Sequence, residues 1–516
     1  MARRWWTLAA VCTGVFMLLL DVTIVNVALP DIQRAFSASL EDLQWVIDAY
    51  ALTLAALLLT AGSVADRVGR RRVFAVGITV FTVGSLLCGS ATGVTFLSLA
   101  RAVQGVGGAI MFATSLALLA QAFRPAERGV AFGVFGAVTG VAVAVGPVLG
   151  GVITSSLSWR WIFFVNLPVG LLALAVTLLR VDESRAPVPS RPDWAGFATF
   201  SVALSALVFG LIRSQNDGWT SATVLGSLGT AAVLLAVFVR VEASSRHPML
   251  DLGLLRVPTF GGGLIAAWGV SASAFSMLTF LVLYLQNVLG FSALETGLRL
   301  LPLSGAIFVT AAVAGRLSSL VPVRWLIAPG FALVGTSLLL MRGNEVGQSW
   351  THLLPGFIVA GVGAGLINVP LASTAVGVVT PDRAGMASGI NSTLRQVGIA
   401  TGVATLGSIL ATQLRSSVLD QLRGGPLGPS APALAQAIGA GRVREAIAAT
   451  PPALRQAVAR AAGVGFAAAL NDILLITAIV AFSVAVLTAV LIRSRDFVQP
   501  EPSAGTGPAV APGSRA

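Results

Sequence analysis

Apolar residues fill this chain in blocks of about 20, separated by short polar connections in which arginine recurs. At a rise of about 1.5 Å per residue, one block matches a hydrocarbon core of about 30 Å. About 14 such blocks can be laid out, centred near Phe16, Leu54, Thr82, Met111, Val143, Ala173, Ala203, Ala231, Ser276, Phe308, Leu333, Ala364, Thr401 and Thr477. The pattern predicts an all-α polytopic membrane protein. One connection is long, from Gln413 to Gly465. It is expected outside the cell, with short amphipathic helices at Val443 to Ala449 and Ala453 to Ala462. The tail 496–516, rich in Pro, Gly, Ser and Ala, reads as disordered.

Composition agrees: 56% of residues are hydrophobic, 10% are charged, and mean hydropathy is +0.88. A net charge of +12 and a pI near 11.4 would suggest nucleic acid in a soluble protein. Here the basic residues flank the apolar blocks, so no nucleic-acid partner is expected. All 33 of them are arginine. Placing the N-terminus inside puts Arg67, Arg70, Arg71, Arg72, Arg124, Arg128, Arg180, Arg240 and Arg316, among others, in inner loops. That asymmetry predicts both termini in the cytoplasm. The first block is too long for a secretory signal and is interrupted by Asp21, so it is an uncleaved span. Cys12 and Cys88 both fall in apolar blocks and form no disulfide framework. His247 and His352 lack ligand company, so neither a metal nor another cofactor is expected.

Two glycine-containing strings recur at a separation of 256 positions, 105 to 361 and 125 to 381. Repeated halves with a site between them are a transporter plan. The division expected is 1–181 as an N-terminal six-helix bundle, 182–259 as an inserted helix pair with its flanking loops, and 260–495 as a C-terminal six-helix bundle containing the external loop 413–466.

Charges inside the apolar blocks mark candidate chemistry, because an ionised group in lipid costs several kcal/mol unless it faces protein or water. Asp21 stands in the first block at an expected depth of ~13 Å, and Arg101 in the fourth at ~9 Å. If their helices adjoin, the two influence one another. Arg101 also has a purely structural reading as a tether between helices. Asp48, in Trp45-Val46-Ile47-Asp48-Ala49-Tyr50, reads either as an interfacial carboxylate reaching water or as an acidic site for protons or cations. Arg395 is expected ~14 Å deep in the thirteenth block, in need of a partner or cavity water. Asn368, Gln286 and Asn287 are lesser cavity candidates, the last two also reading as outer interface residues. In the fifth block, Gly136/Gly140 and Gly146/Gly150 are spaced for close backbone approach, and Pro147 bends the helix. Gly62 and Gly69 permit close packing and a tight turn around Asp66, Arg67 and Arg70.

The string Gly62-Ser63-Val64-Ala65-Asp66-Arg67-Val68-Gly69-Arg70-Arg71-Arg72 resembles the loop signature of the major facilitator superfamily. With the fourteen blocks and the neighbouring strings, the chain is similar to the fourteen-spanner drug:proton antiporters from about Trp6 to Arg493. The resemblance implies a major facilitator fold with an inserted helix pair, and a cytoplasmic latch formed by Asp66 and Arg70 with Gly62, Arg67 and Gly69. The second half keeps the glycine at Gly315 but lacks the carboxylate, so the latch is expected on one side only. Arg101-Ala102-Val103-Gln104-Gly105 matches the motif whose arginine is implicated in proton coupling. Gly136 to Gly151 matches the antiporter signature, with Gly140, Gly146, Pro147 and Gly150. Asp48 stands where exporters of lipophilic cations carry an acid, and Arg395 lies in the family's Arg-Gln-x-Gly element.

The expected function is proton-driven export of amphipathic drugs or antibiotics by alternating access. Asp21, Arg101 and Asp48 would couple protons, and Asp48, Asp21, Arg395 and Asn368 would meet the cargo. The expected partners are the plasma-membrane lipid of a bacterium, small organic substrates and protons, with the chain a monomer. The alternative is a dedicated exporter of one metabolite, lipid or self-made antibiotic. No phosphate-cradling loop points to ATP. No nucleophile–base pair supports an enzyme.

Overall fold

The computed structural model describes residues 3–123, 128–185, 193–245, 248, 250–318, 320–379 and 384–497. Among them the structure is helical, with no strand. The long helices are labelled here in chain order. They are α1 (Arg3–Phe36), α2 (Leu40–Val68), α3 (Arg70–Gly89), α4 (Val94–Ala122), α5 (Arg128–Ser156) and α6 (Trp161–Arg180). Next come α7 (Trp194–Asp217) and α8 (Ala222–Ser244). The rest are α9 (Pro258–Val288), α10 (Ala293–Leu317), α11 (Arg324–Leu340), α12 (Leu354–Gly377), α13 (Ala384–Arg423) and α14 (Arg455–Leu491). Among the described residues, eleven stretches are long and apolar enough to cross a membrane.

Side-chain chemistry sets the helix ends. At the start of α2, Ser39 accepts from the Asp42 backbone N–H, and Asp42 accepts from that of Ser39. Ser292 and Glu295 repeat the arrangement at α10. Each pair satisfies two backbone donors that a helix start leaves free. Between α2 and α3 the chain turns at Gly69, whose φ of 128° is left-handed and disfavours any side chain.

Helices α1 to α6 pack among themselves, as do α9 to α14. The pair α7 and α8 packs mainly on itself, with α7 also lying against α2 and α13. The two groups meet where α1 and α10 flank α5, and where α2 runs along α13. Gly105 and Gly361 do the same work in their two groups. A Cβ at Gly105 would meet the Tyr50 carbonyl of α2, and one at Gly361 would meet the Leu303 carbonyl and Ala306 of α10. Ala306 itself follows Tyr50 by 256 positions, so the spacing read in the sequence is also a spacing of contacts.

The long connection is shorter than the sequence pattern predicts. Gln413 to Arg423 continues α13, and everything from Arg455 belongs to α14. The stretch Ala453 to Ala462 is therefore not a separate helix. Alanine, leucine and glutamine favour helix strongly enough to prolong both helices. Only 424–454 remains between them, holding the short helices Ala431–Gly439 and Val443–Ala448.

Hydrogen bonds between the two groups cluster at one end of the bundle. The Leu40 N–H donates to Ala440 O at 2.8 Å, and Gln33 Nε2 to Gly441 O at 3.1 Å. Gln286 Nε2 donates to Val27 O at 2.9 Å, Thr279 Oγ1 to Asn26 Oδ1 at 2.9 Å, and Asn287 Nδ2 to Gln33 Oε1 at 3.2 Å. Gln286 is buried here, so it is a seam residue. Arg3, the first described residue, and Asp496, next to the last, lie at the opposite end, beside Asp182 and Thr259. The hydrogen bonds across the seam thus lie at the end remote from Arg3 and Asp496.

Gly146 and Gly150 of α5 lie close to α1, while Gly136 and Gly140 lie outside the described residues. A Cβ at Gly146 would collide with the Thr23 hydroxyl of α1 and stand 2.7 Å from Thr23 Cβ. At Gly150 it would lie 2.9 Å from Ile24 Cγ1. On the other flank, a Cβ at Gly297 of α10 would lie 2.5 Å from Pro147 O. We expect Gly146→Val to lower the melting temperature of the purified protein, since overpacking costs about 1–3 kcal/mol. Gly229→Val on α8 is the control, because open space surrounds Gly229. Equal effects of the two would show that α1 and α5 do not need this close approach.

Candidate functional site

Five helices bring polar side chains to one point inside the α1–α6 group. Arg101 of α4 and Asp21 of α1 are 2% and 1% exposed and form an ion pair, with Arg101 Nη1 at 2.5 Å from Asp21 Oδ2. The same Nη1 donates to Gln104 Oε1 at 2.7 Å, and Arg101 Nε donates to Val46 O of α2 at 3.1 Å. Gln104 Nε2 donates to Asp21 Oδ1 at 2.8 Å and to Ser85 Oγ of α3 at 2.7 Å. Asn166 of α6 approaches Asp21 Oδ1 at 3.5 Å and donates to Ser85 Oγ at 3.2 Å. The guanidinium lies 4.2 Å from the centre of the Tyr50 ring. Both carboxylate oxygens are satisfied and the cation is stacked, which is what a buried pair needs to offset desolvation.

Local sequence explains the arrangement. Gln104 is one helical turn beyond Arg101, so both side chains share a face of α4. Helix α6 is interrupted at Val165, between a short helix Trp161–Phe164 and the helix from Asn166. Asn166 therefore stands at a helix start, buried against Ser85 and Asp21. Sequence reading found Asp21 and Arg101 but missed Ser85, Gln104 and Asn166. Gln104 was within reach, three residues after a buried arginine; nothing in the chain around Ser85 or Asn166 marks either one.

Asp48 has a different environment. It is 0% exposed, so it does not reach water, and neither carboxyl oxygen has a hydrogen-bond partner. One turn away on α2, Ala51 and Leu52 belong to an apolar cluster with Leu204, Val208 and Ile212 of α7 and Ala400 and Ala404 of α13. Gln44, one turn the other way, donates to Val403 O of α13 at 3.3 Å. Asp48 thus sits on the face of α2 that meets the other group.

Arg395 of α13 finds its partner in Asn368 of α12, with Nη2 to Oδ1 at 2.5 Å. Asn368 Nδ2 donates to Ala364 O at 2.9 Å. Both side chains are half-buried.

The turn between α2 and α3 is held by a residue that sequence reading passed over. Glu183, just beyond α6, accepts from the Arg71 backbone N–H at 3.0 Å and lies 3.6 Å from Arg72 Nε. The Arg70 N–H donates to Ser184 O at 2.9 Å. A carboxylate at the first turn of α3 meets both the helix dipole and the arginines. Arg67 is exposed. Gly62 has no atom within 4 Å of a would-be Cβ, so it serves no close packing here. The Asp66 side chain, Gly140, and the strings around Pro125 and Pro381 lie outside the described residues.

A buried ion pair inside a bundle of apolar, membrane-length helices defines a polytopic membrane protein with charge chemistry in its interior. The sequence profile of the Major Facilitator Superfamily matches residues 11–403, and the chain belongs to that family. It is 40% identical over 417 residues to Multidrug resistance protein Stp of Mycobacterium tuberculosis, covering 81% of this chain and 78% of that one. It is 39% identical to Puromycin resistance protein pur8 of Streptomyces alboniger, over 79% of this chain and 82% of the other. With the Tetracenomycin C resistance and export protein of Streptomyces glaucescens it shares 35% identity, over 80% and 77% of the two chains. Among solved structures, a bacterial homologue of the human lysosomal transporter Spinster superposes with a TM-score of 0.64 at 17% identity, covering 96% of this chain and 99% of the other. That likeness shows the fold alone.

Proposed function

We propose that this protein is a proton-coupled exporter of amphipathic drugs or antibiotics in a bacterial plasma membrane. The buried Asp21–Arg101 pair carries this reading, since such a pair inside a membrane bundle is costly and marks ion pathways. The names of the relatives supply the cargo class. The eleven apolar stretches together with α2, α5 and α11 make fourteen crossings, and the arginine-rich end that holds the termini faces the cytoplasm. Helices α1–α6 and α9–α14 are the two rocking bundles, with α7 and α8 inserted between them.

In alternating access the two bundles rock so that the interior opens first to one side of the membrane and then to the other. Asp21 exchanges its proton when the bundle rocks and Arg101 shifts away from it, and Asp48 becomes reachable when α2 and α13 part. A dedicated exporter of one compound is built from the same parts.

The test is uptake into everted vesicles containing the purified protein, for several dye and antibiotic classes, with an acid interior and after its collapse by a protonophore. Accumulation of amphipathic compounds only while the gradient stands is expected. Uphill accumulation unaffected by collapse would overturn the coupling.

A further inference from the structure

The charges of the α9–α14 group are unbalanced inside the membrane. Between Glu295 and Asp420 the sequence has two acids, Glu345, in the connection after α11, and Asp382, outside the described residues, and α14 carries Asp472 next to Asn471, which bonds Asn344 beyond the end of α11. Helices α9 and α12 carry no acid at all, nor does α5 across the seam. Arg395 nevertheless lies midway along the membrane part of α13. No ion pair to it occurs among the described residues, and its hydrogen-bond partner there is the neutral Asn368. Among the described residues, the two acids that reach the interior on the other side are accounted for. Asp21 is bound to Arg101, and Asp48 is sealed with no cation on it.

A second donor points the same way. Asn391 is one turn before Arg395 on the same face of α13. It is 6% exposed, and its Nδ2 has no acceptor. A buried amide donor left unmet costs free energy, as does a guanidinium without a counter-charge. Arg395 keeps partial exposure. At its depth, contact with lipid would be prohibitive, so that exposure is to a hydrated opening. Trp268 of α9 is half-buried and donates from Nε1 to Thr401 Oγ1 on α13 at 3.1 Å. It brings an aromatic ring to α13 less than two turns beyond Arg395.

We propose that Arg395 and Asn391 form an oxyanion-binding subsite for the cargo, and that the preferred substrates are aromatic compounds bearing a carboxylate or phenolate. Arg395 pairs with the anionic oxygen, Asn391 Nδ2 donates to a second acceptor, and Trp268 lies against the ring system. Arginine suits this task because its planar fork meets a carboxylate with two donors. The proposal deepens the export reading by naming the cargo's charge, and departs from the cationic cargo that Asp48 suggested in the sequence. Asp48 is fully buried in this conformer, whereas Arg395 keeps partial exposure.

The experiment measures binding, not transport, so that it fails separately from the export reading. Two xanthene dyes of the same ring system serve as probes, anionic fluorescein and cationic rhodamine 123, titrated against the full chain in detergent by fluorescence anisotropy at mildly alkaline pH. Fluorescein is expected to bind more tightly. Arg395→Gln should weaken fluorescein about tenfold, the worth of a charged hydrogen-bonded contact, and leave rhodamine 123 within about twofold. Arg395→Lys should retain part of the fluorescein affinity, and Asn391→Leu should weaken fluorescein alone. Melting temperatures of the variants establish that they are folded. Equal affinity for the two dyes, preference for rhodamine 123, or a parallel loss of both in Arg395→Gln and Arg395→Lys would overturn the proposal. If fluorescein binds as expected but no vesicle accumulates it, the export reading falls and the subsite stands.

Discussion

Asp21→Asn is expected to abolish gradient-driven accumulation in everted vesicles while the protein remains folded in the membrane. The asparagine side chain keeps the shape of the carboxyl group, and its oxygen still accepts from Arg101 or Gln104. What it loses is the capacity to carry a proton. The structure adds a cost beyond the loss of chemistry. The Arg101 guanidinium, 2% exposed, would keep the Gln104, Val46 and Tyr50 contacts but have no counter-charge. A modest fall in melting temperature should therefore accompany the complete loss of coupling. Full accumulation by the mutant would remove Asp21 from the mechanism.

Arg101→Leu should be worse for the protein than Asp21→Asn. It leaves the Asp21 carboxyl group buried without its cation, with the Gln104 and Asn166 amides near it. Removing one partner of such a pair costs about 3–5 kcal/mol. The double mutant, Asp21→Asn with Arg101→Leu, removes both charges and should recover most of the melting temperature lost in Arg101→Leu. Transport should not return. The double-mutant cycle then separates the tether from the coupling role. If the losses of the two single mutants simply added in the double mutant, the pair would have no mutual worth. If transport returned with stability, Arg101 would be a tether alone.

These outcomes bear on how Asp21 works. Asp21 has a cation and an amide on its oxygens, whereas Asp48 has nothing on either oxygen. The two acids differ in surroundings far more than in sequence context.

Much of this protein is determined by its sequence alone. Blocks of about 20 apolar residues can only be membrane helices, because every backbone polar group in lipid must be satisfied within its own segment. Lone charges in those blocks had to be paired or hydrated, which singled out Asp21, Arg101 and Arg395 before any fold was known. The glycine spacing at 146 and 150 foretold the close face of α5. Tertiary structure alone decided the partners. That Ser85, Gln104 and Asn166 surround Asp21, that Glu183 meets the first turn of α3, that Asp48 is buried on the face of α2 toward α7 and α13, and that Asn391 stands unmet beside Arg395 all depend on which helices adjoin. A helix reveals its own face through a period of 3.6 residues, but nothing in that period says which face of which other helix it will meet.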